Sequence, residues 1–186
     1  MKRLFDLVLA LIAGTLLIIP IVVVAILVKL TSKGPALYWS DRVGMHNTIF
    51  KMPKFRSMKV ETPAVATHLL VDPGSLLTPI GGFLRKSSLD ELPQLWCIMK
   101  GNMSFVGPRP ALFNQEDLIA LRKEKGVDKL LPGLTGWAQV NGRDELPILD
   151  KVNLDVDYLN QKSFRLDLKI IFLTFLQVIR RDSVSH

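Results

Sequence analysis

Apolar and polar positions alternate in three different ways along this chain. From Leu7 to Val28 runs a stretch of 22 residues with no charge. Leu37–Arg42 and Thr48–Phe55 read as short extended segments around the turn-forming Gly44-Met45-His46-Asn47. Beyond them the pattern becomes helical, broken by proline and glycine. Thr78-Pro79 marks a helix start, threonine at the N-cap and proline at N1, leading into Gly82-Phe83-Leu84-Arg85. Further helices are predicted at about 91–100, 113–125 and 147–160, with 61–75 as a loop. The last segment, Phe164–Arg181, is amphipathic. Leu168, Ile171, Phe172, Phe175 and Ile179 form one stripe, with Lys169, Arg180 and Arg181 off it. Leu166, Ile170 and Leu173 make a second apolar side, so this helix can pack on a core, lie at a membrane interface, or do both.

The 22-residue apolar run meets the usual length of a membrane span, about 20 residues. Pro20 interrupts it, and a proline removes a backbone hydrogen bond and kinks a helix. Leu7–Ile19 alone would be an arm of about 20 Å, short of a hydrocarbon core of about 30 Å. Lys2 and Arg3 precede the run while Lys29 and Lys33 follow it, which suggests that both ends stay on the cytoplasmic side. A re-entrant helix broken at Pro20 and an ordinary single-pass anchor that tolerates its proline both fit at this point. No small-x-small cleavage site follows before Lys29, against a signal peptide.

Length and charge narrow the rest. A chain of 186 residues holds one globular domain besides its apolar end. A net charge of +7 and an isoelectric point near 9.7 favour anionic partners. No paired Cys/His signature and no aromatic-basic repeat accompanies that charge, so phosphate and membrane surface rank above nucleic acid. Cys97 is the single cysteine, which excludes an intrachain disulfide and suits a reducing compartment. His46, His68 and His186 are scattered without metal-ligand spacing, so no zinc site is expected.

The candidate chemistry lies in three motifs. Ser87-Ser88-Leu89-Asp90-Glu91-Leu92-Pro93-Gln94 sets two carboxylates side by side at a helix start. Ser88-x-x-Glu91 matches a capping box, and a first-turn acid is stabilised by the helix dipole without any further role. The alternative is a dipole-lowered aspartate that holds Mg²⁺ through oxygen or attacks phosphorus. Gly107-Pro108-Arg109-Pro110 fixes Arg109 between prolines, either as a solvated turn or as a fork for phosphate. In Pro132–Arg143, Asn141-Gly142 is a turn signal that aims Arg143. Lys54 and Arg56 straddle Phe55 and are expected to share a strand face, solvated or turned to the same site. The sum is a basic, membrane-associated domain with one acidic pair among turn-fixed cations, suited to phosphoryl transfer. A basic membrane scaffold is the non-enzymatic rival, and it predicts lipid binding indifferent to Asp90 and Arg109.

Taken together, Lys2-Arg3-Leu4-Phe5-Asp6, Phe50–Met58, Ser87–Trp96, Lys100–Pro110 and Pro132–Arg143 closely resemble the monotopic phosphoglycosyl transferases, a bacterial sugar transferase family. The resemblance covers nearly the whole chain and looks like the minimal catalytic form. It implies an α+β, mostly helical fold. Residues 1–33 would be a re-entrant membrane helix with its break at Pro20. Residues 34–186 would form a small cytoplasmic catalytic domain with short strands and interfacial amphipathic helices. It implies transfer of a phosphosugar from a UDP-sugar to a polyprenol phosphate such as undecaprenyl phosphate, with UMP leaving and Mg²⁺ required. This is the first membrane step of capsule, O-antigen or glycoprotein glycan assembly at the bacterial inner membrane. Asp90 would be the nucleophile, forming a covalent phosphosugar adduct, and Glu91 would complete the dyad and help to position Mg²⁺. Lys54, Arg85, Arg109 and Arg143 match cationic positions, with Gln139 nearby. The partners implied are the UDP-sugar, undecaprenyl phosphate and membrane phospholipids, with room for a homo-oligomer and no nucleic acid. The chain departs from the family at Ile19-Pro20, where a serine often precedes the proline, and at Pro53, Cys97, Asn102 and Leu131.

Overall fold

The structure is a computed structural model that describes residues 1–65, 70, 72–142 and 146–180. It is α+β and predominantly helical. Helix α1 (Lys2–Leu16) and helix α2 (Ile18–Thr31) carry the apolar run and meet at Leu17 with a 62° bend. The break therefore falls three residues before Pro20, not at it. Pro20 lies in the first turn of α2, where its missing N–H costs nothing, but its ring excludes the carbonyl four residues earlier, on Leu16. Helical bonds close on both sides of the bend, Leu17 N to Ala13 O and Ile21 N to Leu17 O.

Each arm is about 22 Å long or less, and no single helix among the described residues is long and apolar enough to cross a membrane. Both arms rest on the same globular body. From α1, Ala10 enters a core made by Phe50, Met52, Leu95, Ile98, Phe105, Tyr158 and Ile170. From α2, Val24 and Val28 pack on Phe55 and Leu84. The opposite faces, including Leu11, Leu16, Ile19 and Ile26, are exposed. Lys2 and Arg3 have structural partners: Lys2 Nζ lies 2.6 Å from Asp167 Oδ2, and Arg3 donates to the last carbonyls of helix α4 (Leu95–Lys100), those of Ile98 and Met99. Asp6, fully buried, accepts from Phe105 N, and the Tyr158 hydroxyl donates to Asp167 at 2.6 Å.

The two expected strands form an antiparallel hairpin, β1 (Leu37–Val43) and β2 (Ile49–Phe55), with Lys54 opposite Tyr38. The five-residue turn between them, Gly44–Thr48, holds His46 and Asn47 at positive φ. A second pair was not anticipated: β3 (Ser104–Val106) and β4 (Gly133–Thr135) run parallel. The helix expected at Thr78-Pro79 begins later, as α3 (Gly81–Lys86), and Thr78 contributes its carbonyl to Gly81 N rather than a side-chain cap. The helix expected at 91–100 is a 3₁₀ turn, Leu89–Gln94, followed by α4. Pro93 explains it, since an α-helical path there would drive its ring against the Leu89 carbonyl. Asn141 and Gly142 close a short helix, α6 (Trp137–Gly142), where a turn was expected.

Helices α5 (Glu116–Glu124), α7 (Ile148–Gln161) and α8 (Phe164–Arg180) lie close to their expected places. On α8, Asp167 and Ile170 are buried while Leu168, Phe172 and Phe175 are exposed. Ile171, on the same stripe as these exposed residues, is partly buried against the core, and the Ile179 side chain lies outside the description.

Candidate active site

The dyad owes its direction to a strained residue. Ser88 sits in the left-handed region at φ 56°, at a cost of about 1 kcal/mol for a non-glycine residue, and turns the chain out of α3. The 3₁₀ turn that follows advances about 120° per residue, so adjacent Asp90 and Glu91 point different ways. The capping box does not form: Glu91 N bonds to the Ser88 carbonyl, and Ser88 makes no side-chain cap. The Glu91 carboxylate is engaged elsewhere. Its Oε1 lies 2.8 Å from Lys54 Nζ on β2 and 3.1 Å from Arg109 Nη2.

Burial opposes charge on Glu91, but Lys54 and Arg109 outweigh it and hold the carboxyl well below its usual range. Asp90 behaves in the opposite sense. Its burial, opposed by Lys54, reinforced by Glu91 and opposed again by Arg85 and Arg109, raises it from 3.8 to about 6. The lowering expected from a helix start does not occur, because desolvation outweighs every cation around it. The result is a carboxylate that is still mostly ionised at neutral pH yet poorly solvated. That combination favours nucleophilic attack. Two adjacent carboxylates are thus driven apart, one locked as an anion and one poised.

Arg85, from α3, reaches Asp90 through its charge and donates to Met58 Sδ at 3.6 Å. Arg56 is not part of the site: it donates to the Pro35 carbonyl and lies over the Tyr38 ring. Arg143 lies outside the described residues. Gln139, on α6, packs against Gly136, and both its amide atoms are buried without a partner.

Three glycines bring the Arg109 motif and the Pro132–Gly142 motif into backbone contact. A Cβ on Gly107 would lie 2.3 Å from the Leu131 carbonyl, one on Gly133 2.1 Å from Gly107 N, and one on Gly136 2.1 Å from Gly107 O. A small cleft of about 30 Å³ borders this junction, lined by Asn47, Arg109, Arg122 and Asp128 among others. Sequence reasoning passed over Arg122 and Asp155. Arg122 Nη2 lies 2.7 Å from Asp155 Oδ2, both side chains nearly sealed from solvent. The available signal was a charge placed on each helix's apolar face.

The acidic pair thus stands among cations, beside glycine-packed turns, on a 3₁₀ turn whose Leu89 and Leu92 pack against the second arm of the bent helix pair. The model of the bacterial sugar transferase family matches residues 1–181, and the chain belongs to that family, in its initiating phosphoglycosyl transferase type. It is 40% identical to the "uncharacterized sugar transferase EpsL" of Bacillus subtilis over 100% of this chain and 91% of that one. It is 44% identical to the UDP-glucose:undecaprenyl-phosphate glucose-1-phosphate transferase of Escherichia coli, over 94% of this chain but 39% of the relative. With the undecaprenyl-phosphate galactose phosphotransferase of Salmonella typhimurium the identity is 36%, over 98% of this chain and 41% of the relative. The chain therefore spans under half the length of these two relatives.

Proposed function

We propose that this chain transfers a phosphosugar from a UDP-sugar to undecaprenyl phosphate, releasing UMP, at the cytoplasmic face of the bacterial inner membrane. One observation carries the reading: Asp90 is buried, ionisable near neutrality and faced by Lys54, Arg85 and Arg109, a setting that a membrane scaffold does not need. In the first step an Asp90 carboxylate oxygen bonds to the β-phosphorus. The bond from that phosphorus to the bridging oxygen breaks, and UMP leaves with the electron pair. In the second step an oxygen of the polyprenol phosphate bonds to the same phosphorus, and the Asp90 oxygen departs as carboxylate. Arg109 and Lys54 hold the diphosphate and are themselves held in place by Glu91. Arg85 offsets charge beside Asp90, and Gln139 and Arg143 complete the substrate contacts.

The donor set suits Mg²⁺. Among the described residues no group of three acidic, histidine or cysteine side chains is placed to hold a metal ion, so these residues alone make no full cage. Asp90 and Glu91 instead offer the one or two carboxylates by which Mg²⁺ is held when phosphates supply other ligands. When bound, the ion neutralises charge developing on the leaving phosphate.

The bent helix pair supplies the membrane contact. Both arms return to one globular body while their outer faces expose Leu11, Leu16, Ile19 and Ile26. This supports a re-entrant segment, with Leu168, Phe172 and Phe175 of α8 meeting phospholipid at the interface. A panel of UDP-sugars assayed for UMP release, with undecaprenyl phosphate and Mg²⁺, tests the function. Release with one or more sugars that vanishes on removal of lipid phosphate or Mg²⁺ is expected. Its absence across the panel contradicts the proposal. Labels at residues 2 and 186 should both be reached only from the cytoplasm, and an outside-accessible N-terminus would show a spanning helix.

A further inference from the structure

The turn that carries Arg109 has an unusual way of satisfying its backbone. Pro108 and Pro110 have no N–H, so this segment cannot join a ladder through those positions. Its four successive carbonyls find four separate donors. The Pro108 carbonyl accepts from Gly133 N at 2.9 Å, and that of Ala111 from Val43 N at 3.0 Å. The two between them accept from buried or half-buried arginines: Arg42 Nη1 reaches the Pro110 carbonyl at 3.1 Å, and Arg122 Nη1 reaches that of Arg109 itself at 2.8 Å. Arg122 is fixed in turn. Its Nε and Nη2 both donate to Asp155 Oδ2, at 2.9 and 2.7 Å. Arg122 projects from the buried face of α5 one turn after Leu118, and Asp155 from the buried face of α7 one turn after Val152.

We propose that Arg122 and Asp155 are positioning residues for Arg109. The carboxylate locks the guanidinium fork, and the fork's remaining nitrogen pins the Arg109 carbonyl so that its side chain meets Glu91 and the substrate diphosphate. This rests on the reading of Arg109 as a diphosphate contact. A lysine at 122 cannot do the same, since one ammonium does not present three donors in a rigid plane. A purely structural ion pair makes a different prediction. Replacing a buried pair by apolar residues of similar volume is often neutral for stability, so an apolar pair would restore everything a structural role supplies.

The experiment is a double-mutant cycle on the full-length chain in detergent, read as the dissociation constant for UDP, with thermal unfolding as the control. Arg122→Met combined with Asp155→Leu is expected to keep a cooperative unfolding transition and to weaken UDP binding about tenfold. Arg109→Ala is expected to weaken binding at least as much, and the apolar pair added to Arg109→Ala to cost no more than about twofold further, because the two act through one contact. Should the apolar pair fail to fold, Arg122→Lys replaces it in the same cycle with the same expectations. A folded variant that binds UDP like the parent, or a loss repeated in full on the Arg109→Ala background, overturns the positioning role. If Arg109→Ala alone leaves UDP binding unchanged, the diphosphate reading of Arg109 fails instead, and the positioning proposal with it.

Discussion

Two clusters in this molecule each bury a carboxylate beside an arginine, and they are built to different ends. Around Glu91, one oxygen is shared by Lys54 and Arg109, a second carboxylate stands next to it, and the Arg109 side chain keeps 34% exposure. Around Asp155, a single arginine spends three nitrogens on protein acceptors and is almost sealed. The first arrangement leaves charge at a site that solvent reaches, and the second fixes geometry with nothing left over. Exposure separates these two uses of the same residue types.

The same substitution should therefore have opposite consequences in the two places. Asp90→Asn is expected to lower turnover by about 10³-fold or more, because in the proposed mechanism it removes the nucleophile. Yet it should raise the melting temperature. Asp90's folded value, about 6, lies above its ordinary 3.8, so folding favours the protonated form and the ionised form costs stability above about pH 6. The gain in melting temperature should be larger at pH 8 than at pH 5. Burial raises the Asp155 carboxyl too, but Asp155→Asn should lower stability by about 3 kcal/mol, since it takes the counter-charge from an arginine that is itself sealed and bound to it through two nitrogens. A thermal shift of the same sign for both variants would break the contrast.

Glu91→Gln sharpens it at smaller amplitude. Turnover should fall about 10²-fold as Lys54 and Arg109 lose the acceptor that holds them. The acid limb of the rate profile, expected near pH 6 in the parent because Asp90 must be ionised, should move to lower pH, since Glu91's charge raises Asp90. An upward movement would contradict the assignment. Tyr158→Phe, which deletes the hydroxyl donated to Asp167, should cost about 1 kcal/mol in denaturant unfolding and little activity. Smallest of all, burial pushes the Cys97 thiol up to about 11, so iodoacetamide at pH 8 should leave the folded protein unlabelled.

Much of this was legible in the residues. Strands β1 and β2 and helices α7 and α8 stand where the pattern places them, and the structure brings Glu91 of the acidic pair beside Lys54 and Arg109. The 3₁₀ turn was written in Pro93 but hidden by an apolar run that continues into α4. The break at Leu17 follows from Pro20 once its ring is set against Leu16 rather than against its own position. Strands β3 and β4 span three residues each, too short for periodicity to register, and their pairing depends on Gly107, Gly133 and Gly136 permitting backbone contact. Arg122 and Asp155 were missed because each reads locally as an ordinary helical charge. Only their place one turn from buried Leu118 and Val152 separates them from solvated neighbours.

The most direct test is the intact mass of the protein quenched shortly after mixing with its UDP-sugar and Mg²⁺, in the absence of polyprenol phosphate. A gain equal to one phosphosugar, mapped to the peptide that holds Asp90 and absent from Asp90→Asn, is the predicted result. An Asp90→Asn protein that still gains the mass, or that turns over at the parent rate, would contradict the account.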